Sequence, residues 1–189
     1  SYLKVFRRKR LVSSALWYPY ARRFADNAAR LTARGIPCPQ VLRVYAFPII
    51  RAHVVHYLPL TGETLRHVIR STADEALLEA LRAQLGGFVA ELHAKGIYFR
   101  SIHLGNVVRS DDGRLGLIDI ADMKVGRSGL SRRLRIRNLA HLLRYKGDTD
   151  WLLADGGLAF AQAYAATGAQ ALRLEEICAV LLSTTPARH

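Results

Sequence analysis

A predicted β-hairpin between residues 107 and 118 is the feature that most constrains the fold of this chain. Two short apolar runs, at residues 107–108 and 115–118, flank the turn sequence SDDG at residues 110–113. An Asp-Gly pair between two apolar runs is a strong short-range signal for a hairpin. Asn106 directly precedes the first strand and Asp119 directly follows the second. Pairing of the strands would therefore bring these two side chains close together.

These two side chains have the chemistry of a divalent-cation site. Asn106 offers an amide oxygen and Asp119 a carboxylate, and hard cations such as Mg²⁺ take oxygen ligands. Asp122, three residues after Asp119, is a candidate second metal ligand or a structural partner. The alternative interpretation is an ordinary hairpin with an incidental aspartate. The order and spacing of the elements favour the metal site, which would suit phosphoryl transfer because that reaction relies on metal ions that bridge phosphate oxygens.

The segment before the hairpin resembles a kinase catalytic loop. The generic loop reads H-R-D-x-x-x-x-N and is followed by a metal-binding Asp. Here Phe99, Arg100 and Ser101 occupy the first three positions, and Asn106 lies five residues after Ser101. The run SIHLGN at residues 101–106 is similar to the H-x-D-x-H-x-G-N loop of small-molecule kinases, among them aminoglycoside and choline kinase-like proteins. The most similar pattern is that of the lipopolysaccharide kinase family, with its bacterial toluene-tolerance and InaA-like members.

That resemblance spans most of the chain, from residue 4 to about residue 164, and is most specific at residues 92–122. It implies an α+β, protein-kinase-like fold with two lobes. Residues 1–60 would form a truncated N-terminal lobe that lacks the first strands and the Gly-rich loop. Residues 61–189 would form a mainly helical C-terminal lobe with the catalytic and metal loops. The resemblance also implies a bacterial Mg²⁺- and ATP-dependent enzyme of lipopolysaccharide biosynthesis, which phosphorylates a heptose or Kdo sugar of the core.

The same resemblance suggests nucleotide-binding residues. Lys4, in the strand-like run YLKV, matches the lysine that pairs the nucleotide phosphates. The first predicted helix would offer that lysine a carboxylate, and Asp26 is the only acid in it. The family position falls near Phe24, so a solvated Asp26 is an equal alternative. Tyr57 and Leu58 lie in the expected hinge between the lobes, where backbone groups would hold the adenine.

Ser101 stands where the generic loop has its proton-accepting Asp. A Ser cannot act as a general base near neutral pH without a partner, and a general base contributes ~10²–10⁴-fold to the rate. His103 is either a brace for the loop or a substitute proton acceptor, since an unperturbed His titrates near pH ~6.5. Arg100 could brace the loop or hold an activating phosphate. The chain is therefore a weak phosphotransferase, a pseudokinase that binds nucleotide or a partner without turnover, or a small structural domain with a kinase fold that binds no nucleotide.

The charge of the chain indicates an anionic partner. Its 28 Lys and Arg residues and 15 acidic residues give a net charge of +13, which favours nucleotides, phosphosugars, anionic membranes or nucleic acid. No zinc-ligand spacing, aromatic RNA-binding motif or basic-region heptad is visible, so a basic nucleic-acid-binding module ranks third. ATP with a sugar of the lipopolysaccharide core, or another anionic small-molecule acceptor, accounts for the charge at least as well. A cluster of arginines forms either a solvated basic face or a patch for phosphate or an anionic membrane: Arg132, Arg133, Arg135, Arg137 and Arg144.

The remaining predictions concern secondary structure and location. Strands are predicted at residues 2–6, 40–46 and 53–58, and helices at residues 20–34, 74–94 and 131–145. Residues 150–166 and 170–183 are expected to complete a helical lobe. Only two cysteines occur, and neither a signal peptide nor an apolar run of membrane-spanning length is visible. We therefore expect a cytoplasmic chain, with peripheral contact at the inner face of the inner membrane as an option.

Overall fold

A computed structural model describes residues 1–7, 18–167 and 172–183 of the chain. Its strands are β1 (Tyr2–Arg7), β2 (Gln40–Phe47), β3 (Ala52–Leu58), β4 (Glu63–Thr64), β5 (Ile97–Phe99), β6 (Val107–Arg109), β7 (Leu115–Leu117) and β8 (Met123–Val125). Its helices are α1 (Tyr20–Thr32), α2 (Leu65–Ser71), α3 (Glu75–Ala94), α4 (Arg132–Leu142), α5 (Lys146–Leu152), α6 (Leu158–Ala165) and α7 (Leu174–Ser183). A 3-10 turn, Ile120–Asp122, follows the β6–β7 hairpin.

The first part of the fold is a three-stranded antiparallel sheet with the order β1-β3-β2, which packs against α1. The helix begins after Pro19 and ends before Gly35, whose φ of 71° is readily adopted only by glycine. Phe24 and Leu31 of α1 belong to the same buried cluster as Val55 of β3. The strands and the helix predicted for this part of the chain are confirmed, within two residues at each end.

The helical part of the fold is organised around α3, a helix of 20 residues. Leu81, Leu85 and Leu92 on this helix are buried in the core. The neighbouring helix α6 lies so close that a Cβ atom on Gly86 would come within 2.2 Å of the carbonyl oxygen of Phe160. A glycine is therefore needed at position 86 for the two helices to pack. The predicted long helix is confirmed with these bounds.

The predicted hairpin forms from β6 and β7, and Val107 pairs with Leu117. It is held against the segment that joins α1 to β2. The carbonyl oxygen of Pro37 accepts a 2.9 Å hydrogen bond from the backbone N–H of Leu117. A Cβ atom on Gly116 would lie only 2.6 Å from that same oxygen, so the close approach depends on the glycine. This packing places the end of the hairpin next to the first sheet.

Residues 150–166, predicted as part of a helical lobe, contain the end of α5 and the whole of α6 rather than one continuous helix. Gly156 and Gly157 lie between them with φ values of 72° and 77°, and consecutive left-handed residues cannot continue an α-helix. Helix α4 ends at Leu142, three residues before the predicted end. Helix α7 lies within the predicted segment 170–183, whose first two residues fall outside the described part of the chain.

Short strands connect the hairpin and the helical part. β4 pairs with β6, and β5 pairs antiparallel with β8. The sequence patterns predict neither these pairings nor the short helix α2. The β5–β8 ribbon frames the candidate site, because Phe99 immediately precedes Arg100 and Met123 immediately follows Asp122. None of the helices in the described residues combines the length and apolar character needed to cross a membrane.

Candidate functional site

The candidate site is a cavity of about 370 Å³ between the first sheet and the β6–β7 hairpin. Lys4 of β1 reaches it from the sheet. Asn106, which precedes β6, and Asp119, which follows β7, reach it from the open end of the hairpin. The structure thus brings together three residues that the sequence analysis assigns to phosphate and metal binding. The other lining residues are mostly apolar: Phe24, Pro39, Tyr57, Pro59, Leu60, Gly62, Thr64, Val108 and Ile118. An apolar cleft with a few convergent polar groups is typical of a small-molecule site.

Lys4 and Asp119 form a direct ion pair in this cavity. Lys4 Nζ donates to Asp119 Oδ1 at 2.6 Å. The ammonium group also lies 5.6 Å and 5.7 Å from the ring centroids of Phe6 and Phe24, and aromatic faces attract cations. The cavity therefore presents a cation and an anion side by side. Phosphate oxygens can replace the carboxylate at the lysine, and a divalent cation can replace the lysine at the carboxylate.

Asp119 has a backbone conformation that is uncommon for residues other than glycine. Its φ of 54° and ψ of 40° lie in the left-handed region, just before the 3-10 turn. Residues held in such conformations cluster at functional sites. Asn27 of α1 holds the turn, because its buried Nδ2 donates to the carbonyl oxygens of Ile120 at 2.8 Å and of Met123 at 3.3 Å. No local sequence pattern singles out Asn27, which lies 93 residues from Ile120.

Asn106 is oriented by the loop that precedes it. The side-chain Nδ2 of Asn106 donates to the carbonyl oxygen of Ser101 at 2.9 Å. The backbone carbonyl oxygen of Asn106 accepts from the backbone N–H of Ile118 at 3.0 Å. Because the side-chain nitrogen is hydrogen-bonded to the loop, the side-chain oxygen Oδ1 is the atom of Asn106 that can bind a cation. Among the described residues, no group of three His, Cys, Asp or Glu side chains is arranged to hold a metal. Two protein oxygens suit Mg²⁺, which usually completes its shell with phosphate and water.

Asp122 lies beside Ser101 and Arg100, and it is not among the residues that line the cavity. Ser101 Oγ donates to Asp122 Oδ2 at 3.4 Å, and Arg100 Nη1 lies 3.8 Å from Asp122 Oδ1. The hydroxyl and the guanidinium group attract this carboxylate toward the catalytic-loop positions. These contacts fit a structural partner of the catalytic loop, and the role of Asp122 as a second metal ligand stays a prediction.

The structure corrects the interpretation of Asp26 as the partner of Lys4. Asp26 Oδ2 accepts a 2.6 Å hydrogen bond from the hydroxyl of Tyr18, whereas Lys4 pairs with Asp119. The reason is the helical repeat, since residues two positions apart on an α-helix point about 200° apart. Phe24 faces the cavity, so Asp26 faces away from it.

Of the two residues predicted at the hinge, Tyr57 lines the cavity and Leu58 does not. The ring of Tyr57 packs against Phe24 with a centroid separation of 5.4 Å. Successive side chains of a strand point to opposite faces, so Leu58 is turned outward, and it is exposed. Pro59 and Leu60 continue the lining. Recognition of adenine by the backbone of residues 57–58 stays a prediction.

An ion pair that the sequence analysis missed holds the loop between Ser101 and Asn106. Arg66 of α2 and Asp148 of α5 form a bidentate pair, with an Nε–Oδ1 distance of 2.9 Å and an Nη2–Oδ2 distance of 2.7 Å. Asp148 is only 4% exposed, and it also accepts from the backbone N–H of Leu104 at 3.1 Å. The paired residues lie 82 positions apart, which explains why no local pattern reveals them.

His103 has the contacts of a residue that braces this loop. Its Nδ1 accepts a 3.1 Å hydrogen bond from the backbone N–H of Gly105 and lies 3.4 Å from Arg66 Nη2. Burial, followed by the charge of Arg66, lowers the pKa of His103. Gly105 has no positive φ; a Cβ atom there would approach Arg66 Nη1 at 2.9 Å and the His103 ring at 3.1 Å. The glycine therefore provides space for these two side chains, and a proton-accepting role for His103 stays untested.

A buried chain of hydrogen bonds ends at Phe99, the first residue of the catalytic-loop motif. Arg135 Nη1 donates to the Tyr164 hydroxyl at 3.4 Å, which lies 2.6 Å from His93 Nδ1. His93 Nε2 lies 3.1 Å from Asn138 Oδ1, and Asn138 Nδ2 donates to the carbonyl oxygen of Phe99 at 2.7 Å. Because Oδ1 can only accept, His93 carries its proton on Nε2 and accepts from Tyr164 at Nδ1. Burial lowers the pKa of His93 to about 4, which keeps the ring neutral.

The arginine cluster does not form one continuous basic face. Arg132 pairs with Glu176 at 2.6 Å, and Arg133 and Arg137 are exposed. Arg135 is buried, because it closes the hydrogen-bond chain described above. The prediction that Arg135 contributes to a surface patch for phosphate or membrane is therefore wrong.

No protein-family model matches the chain, and no curated protein matches its sequence. Its fold is similar to that of WbdD, a bifunctional kinase-methyltransferase. A medium-resolution structure of WbdD has a TM-score of 0.51 and 14% identity and covers 96% of this chain. A co-crystal structure of WbdD with a kinase inhibitor has a TM-score of 0.48 and 14% identity, also with 96% of this chain covered. The chain spans about two fifths of those structures, 40% and 41% of their length. At this identity the likeness to the medium-resolution structure supports a kinase-like fold at most and shows no activity.

Proposed function

We propose that the chain is a Mg²⁺- and ATP-dependent phosphotransferase that acts on a sugar of the lipopolysaccharide core. The convergence of Lys4, Asn106 and Asp119 on one cavity carries the proposal. These are the residue types that a kinase uses for its phosphate-binding lysine and its two metal ligands, and the kinase-like fold supports the assignment. In this proposal the first sheet and α1 belong to the N-terminal lobe, the region from α3 to α7 forms the C-terminal lobe, and the cavity lies between them.

Charged and apolar residues of the cavity would bind different parts of Mg-ATP. Bound Mg-ATP would supply the transferred phosphoryl group and neutralise the charge on its oxygens. Lys4 would exchange Asp119 for phosphate oxygens, and Asp119 and the amide oxygen of Asn106 would hold the cation. The apolar wall around Tyr57 and Leu60 would contain the adenine, away from the charged end.

The chemical step needs a proton acceptor, and we assign that role to Asp122. The acceptor hydroxyl oxygen forms a bond to the transferred phosphorus while the bond from phosphorus to the leaving oxygen of ADP breaks. The hydroxyl proton must pass to a base as this happens. Asp122 lies within 3.4 Å of the Ser101 hydroxyl and is 43% exposed, so an acceptor can reach it. The carboxylate that the catalytic loop lacks at Ser101 would then come from the metal loop.

A pseudokinase that binds nucleotide or a partner without turnover is the second candidate. It is favoured by Ser101, which is not itself a base, and by the direct neutralisation of Lys4 by Asp119. In this candidate the cavity and its metal ligands still bind nucleotide, and only the proton transfer is missing.

Calorimetry with Mg-ATP, followed by transfer of labelled γ-phosphate to purified lipopolysaccharide core, separates the candidates. We expect nucleotide binding that depends on Mg²⁺ and a labelled core sugar, both of which are lost when the metal is chelated. Binding without labelling selects the pseudokinase. The absence of nucleotide binding contradicts the phosphotransferase and leaves only a pseudokinase that binds a partner.

A further inference from the structure

A second cavity, of about 490 Å³, lies between the β5–β8 ribbon and α4, beside the catalytic loop. All of its charged lining residues are basic. Arg100 comes from the catalytic loop, Lys124 from β8 and Arg137 from α4. Apolar side chains form much of the rest of the lining: Tyr98, Leu130 and Leu134.

The basic groups of this second cavity have little internal compensation. Lys124 and Arg137 are exposed, and neither forms an ion pair within residues 1–7, 18–167 and 172–183. Arg100 has a loose contact of 3.8 Å with Asp122, and its side chain is 61% exposed. Three cations line this concave surface, and the only carboxylate paired with any of them in the described part of the chain is Asp122, at 3.8 Å from Arg100. Such a group of cations creates a positive potential that attracts anions.

Arg100, Arg137 and Arg144 all lie near enough to His141 to influence its pKa. Its pKa is lowered by burial first and then by the charges of Arg144, Arg137 and Arg100. His141 Nε2 lies 3.0 Å from the hydroxyl of Tyr98, so this ring of the cavity wall is held in place. The cavity therefore combines a cationic end with a fixed aromatic and aliphatic wall.

We propose that this second cavity binds a phosphorylated sugar, with its phosphate held by Arg100, Lys124 and Arg137 and its ring against Tyr98 and Leu134. A phosphate needs several cationic donors, and Arg supplies them in a planar fork. The C–H face of a sugar ring suits an apolar wall. The inference rests on the proposed function and specifies its acceptor: a sugar that already carries a phosphate group. Arg100 is adjacent to Ser101, so the bound phosphate would hold the acceptor next to the position where its hydroxyl reacts.

Calorimetric titration without nucleotide tests the site, with glucose 6-phosphate, inorganic phosphate and glucose as probes. We expect glucose 6-phosphate to bind more tightly than either fragment, because only it engages both the cations and the apolar wall. The double variant Lys124→Met/Arg137→Met should weaken this binding by about tenfold or more, since two charge-assisted contacts are lost. Arg133→Met is the matched control, because Arg133 lies one turn from Arg137 on α4 and does not line the cavity. It should bind the sugar phosphate as the parent does.

Three results would overturn the inference. One is equal binding by the double variant and the parent. Another is inorganic phosphate binding as tightly as glucose 6-phosphate, which would leave a simple anion site. The third is loss of sugar-phosphate binding in Lys4→Met, which would place the probe in the nucleotide cavity. The proposed function fails separately, if the parent does not bind Mg-ATP, because the titration with sugar phosphate uses no nucleotide.

Discussion

Lys4 and Asp119 lie 115 residues apart in the sequence and form a 2.6 Å ion pair across the candidate cavity. Their side chains are 33% and 54% exposed, so solvent screens the pair. Exposed ion pairs contribute only about 0–1 kcal/mol to stability. Stability alone is therefore a poor explanation for this contact. A weak pair at the mouth of a cavity suits two groups that change partners when phosphate and a cation enter.

The first prediction concerns the metal ligands. Asp119→Asn should abolish the Mg²⁺-dependent part of nucleotide binding, because an amide lacks the charge that holds a hard cation. The fold should persist, since the pair with Lys4 contributes little to stability. Calorimetry with ATP, with and without Mg²⁺, measures the effect. Asp111→Asn is the control, because Asp111 is an exposed residue of the hairpin turn. Unchanged Mg-ATP affinity in Asp119→Asn would contradict the assignment of Asp119 as a metal ligand.

The second prediction concerns the ion pair behind the loop. Asp148→Asn should lower the free energy of unfolding by about 2 kcal/mol, because it leaves Arg66 without its charged partner in a largely buried contact. Urea unfolding measures the loss. Asp150→Asn, on the same helix, removes only an exposed i,i+4 partner of Lys146, so it should change stability by less than about 0.5 kcal/mol. Equal effects of the two substitutions would show that the buried pair does not hold the loop.

Local patterns predicted the elements that depend on neighbouring residues. The Asp-Gly turn predicts the β6–β7 hairpin, and the helical repeat of leucines predicts α3. Helix α1 follows from Pro19 and Gly35 at its ends. These signals act within one turn or one helix, so the sequence carries them without reference to the rest of the chain.

The contacts that complete the candidate site depend on residues far apart in the sequence, and these escaped prediction. Asn27 holds the turn after Asp119 across 93 positions, and Asp148 holds Arg66 across 82. An Asn in a helix or an Asp near a helix start has no distinctive pattern of its own. Only burial and tertiary packing give these side chains their partners. The placement of Asp122 beside Ser101 likewise becomes visible only once β5 pairs with β8.

The third prediction is that His93 makes stability depend on pH. In the unfolded chain it takes up a proton near its ordinary pKa of 6.5, whereas in the folded protein its pKa is lowered to about 4. Between these values the unfolded state binds more protons, so stability falls as the pH falls. The contribution is fully present above pH 6.5, and about 3 kcal/mol is lost by pH 4. Urea unfolding at a series of pH values measures this slope.

His93→Gln tests the origin of that slope. The variant should have a shallower pH dependence between about pH 6 and pH 4.5, whatever its stability at neutral pH. The part that remains comes from His103 and His141, whose pKa values are also lowered in the folded protein. His67→Gln is the control, because His67 is exposed on α2, and it should keep the dependence of the parent. A His93→Gln profile parallel to that of the parent would show that other groups cause the acid destabilisation.

The fourth prediction concerns the proton acceptor. If Asp122 takes the proton of the acceptor hydroxyl, Asp122→Asn should lower the transfer rate by about 10²–10⁴-fold. Mg-ATP affinity should stay unchanged, because Asp122 does not line the nucleotide cavity. Rates of phosphate transfer and calorimetric affinities, measured on the same preparations, separate the two effects. His103→Ala serves as the comparison, since loss of activity there with normal activity in Asp122→Asn would exclude Asp122 as the base and leave His103 as the candidate.

Rescue by Ser101→Asp gives the sharper test of this assignment. Alone, Ser101→Asp would place a second carboxylate beside Asp122, whose Oδ2 lies 3.4 Å from Ser101 Oγ, and two like charges at that distance repel each other. We therefore expect little gain from the single substitution. In the Asp122→Asn background the repulsion is absent and the new carboxylate occupies the usual base position, so transfer should recover. A purely structural role for Asp122 predicts no recovery, because the new Asp would not replace the contact with Arg100. A double variant as slow as Asp122→Asn, with normal Mg-ATP binding, would contradict the assignment and leave Asp122 with a structural role.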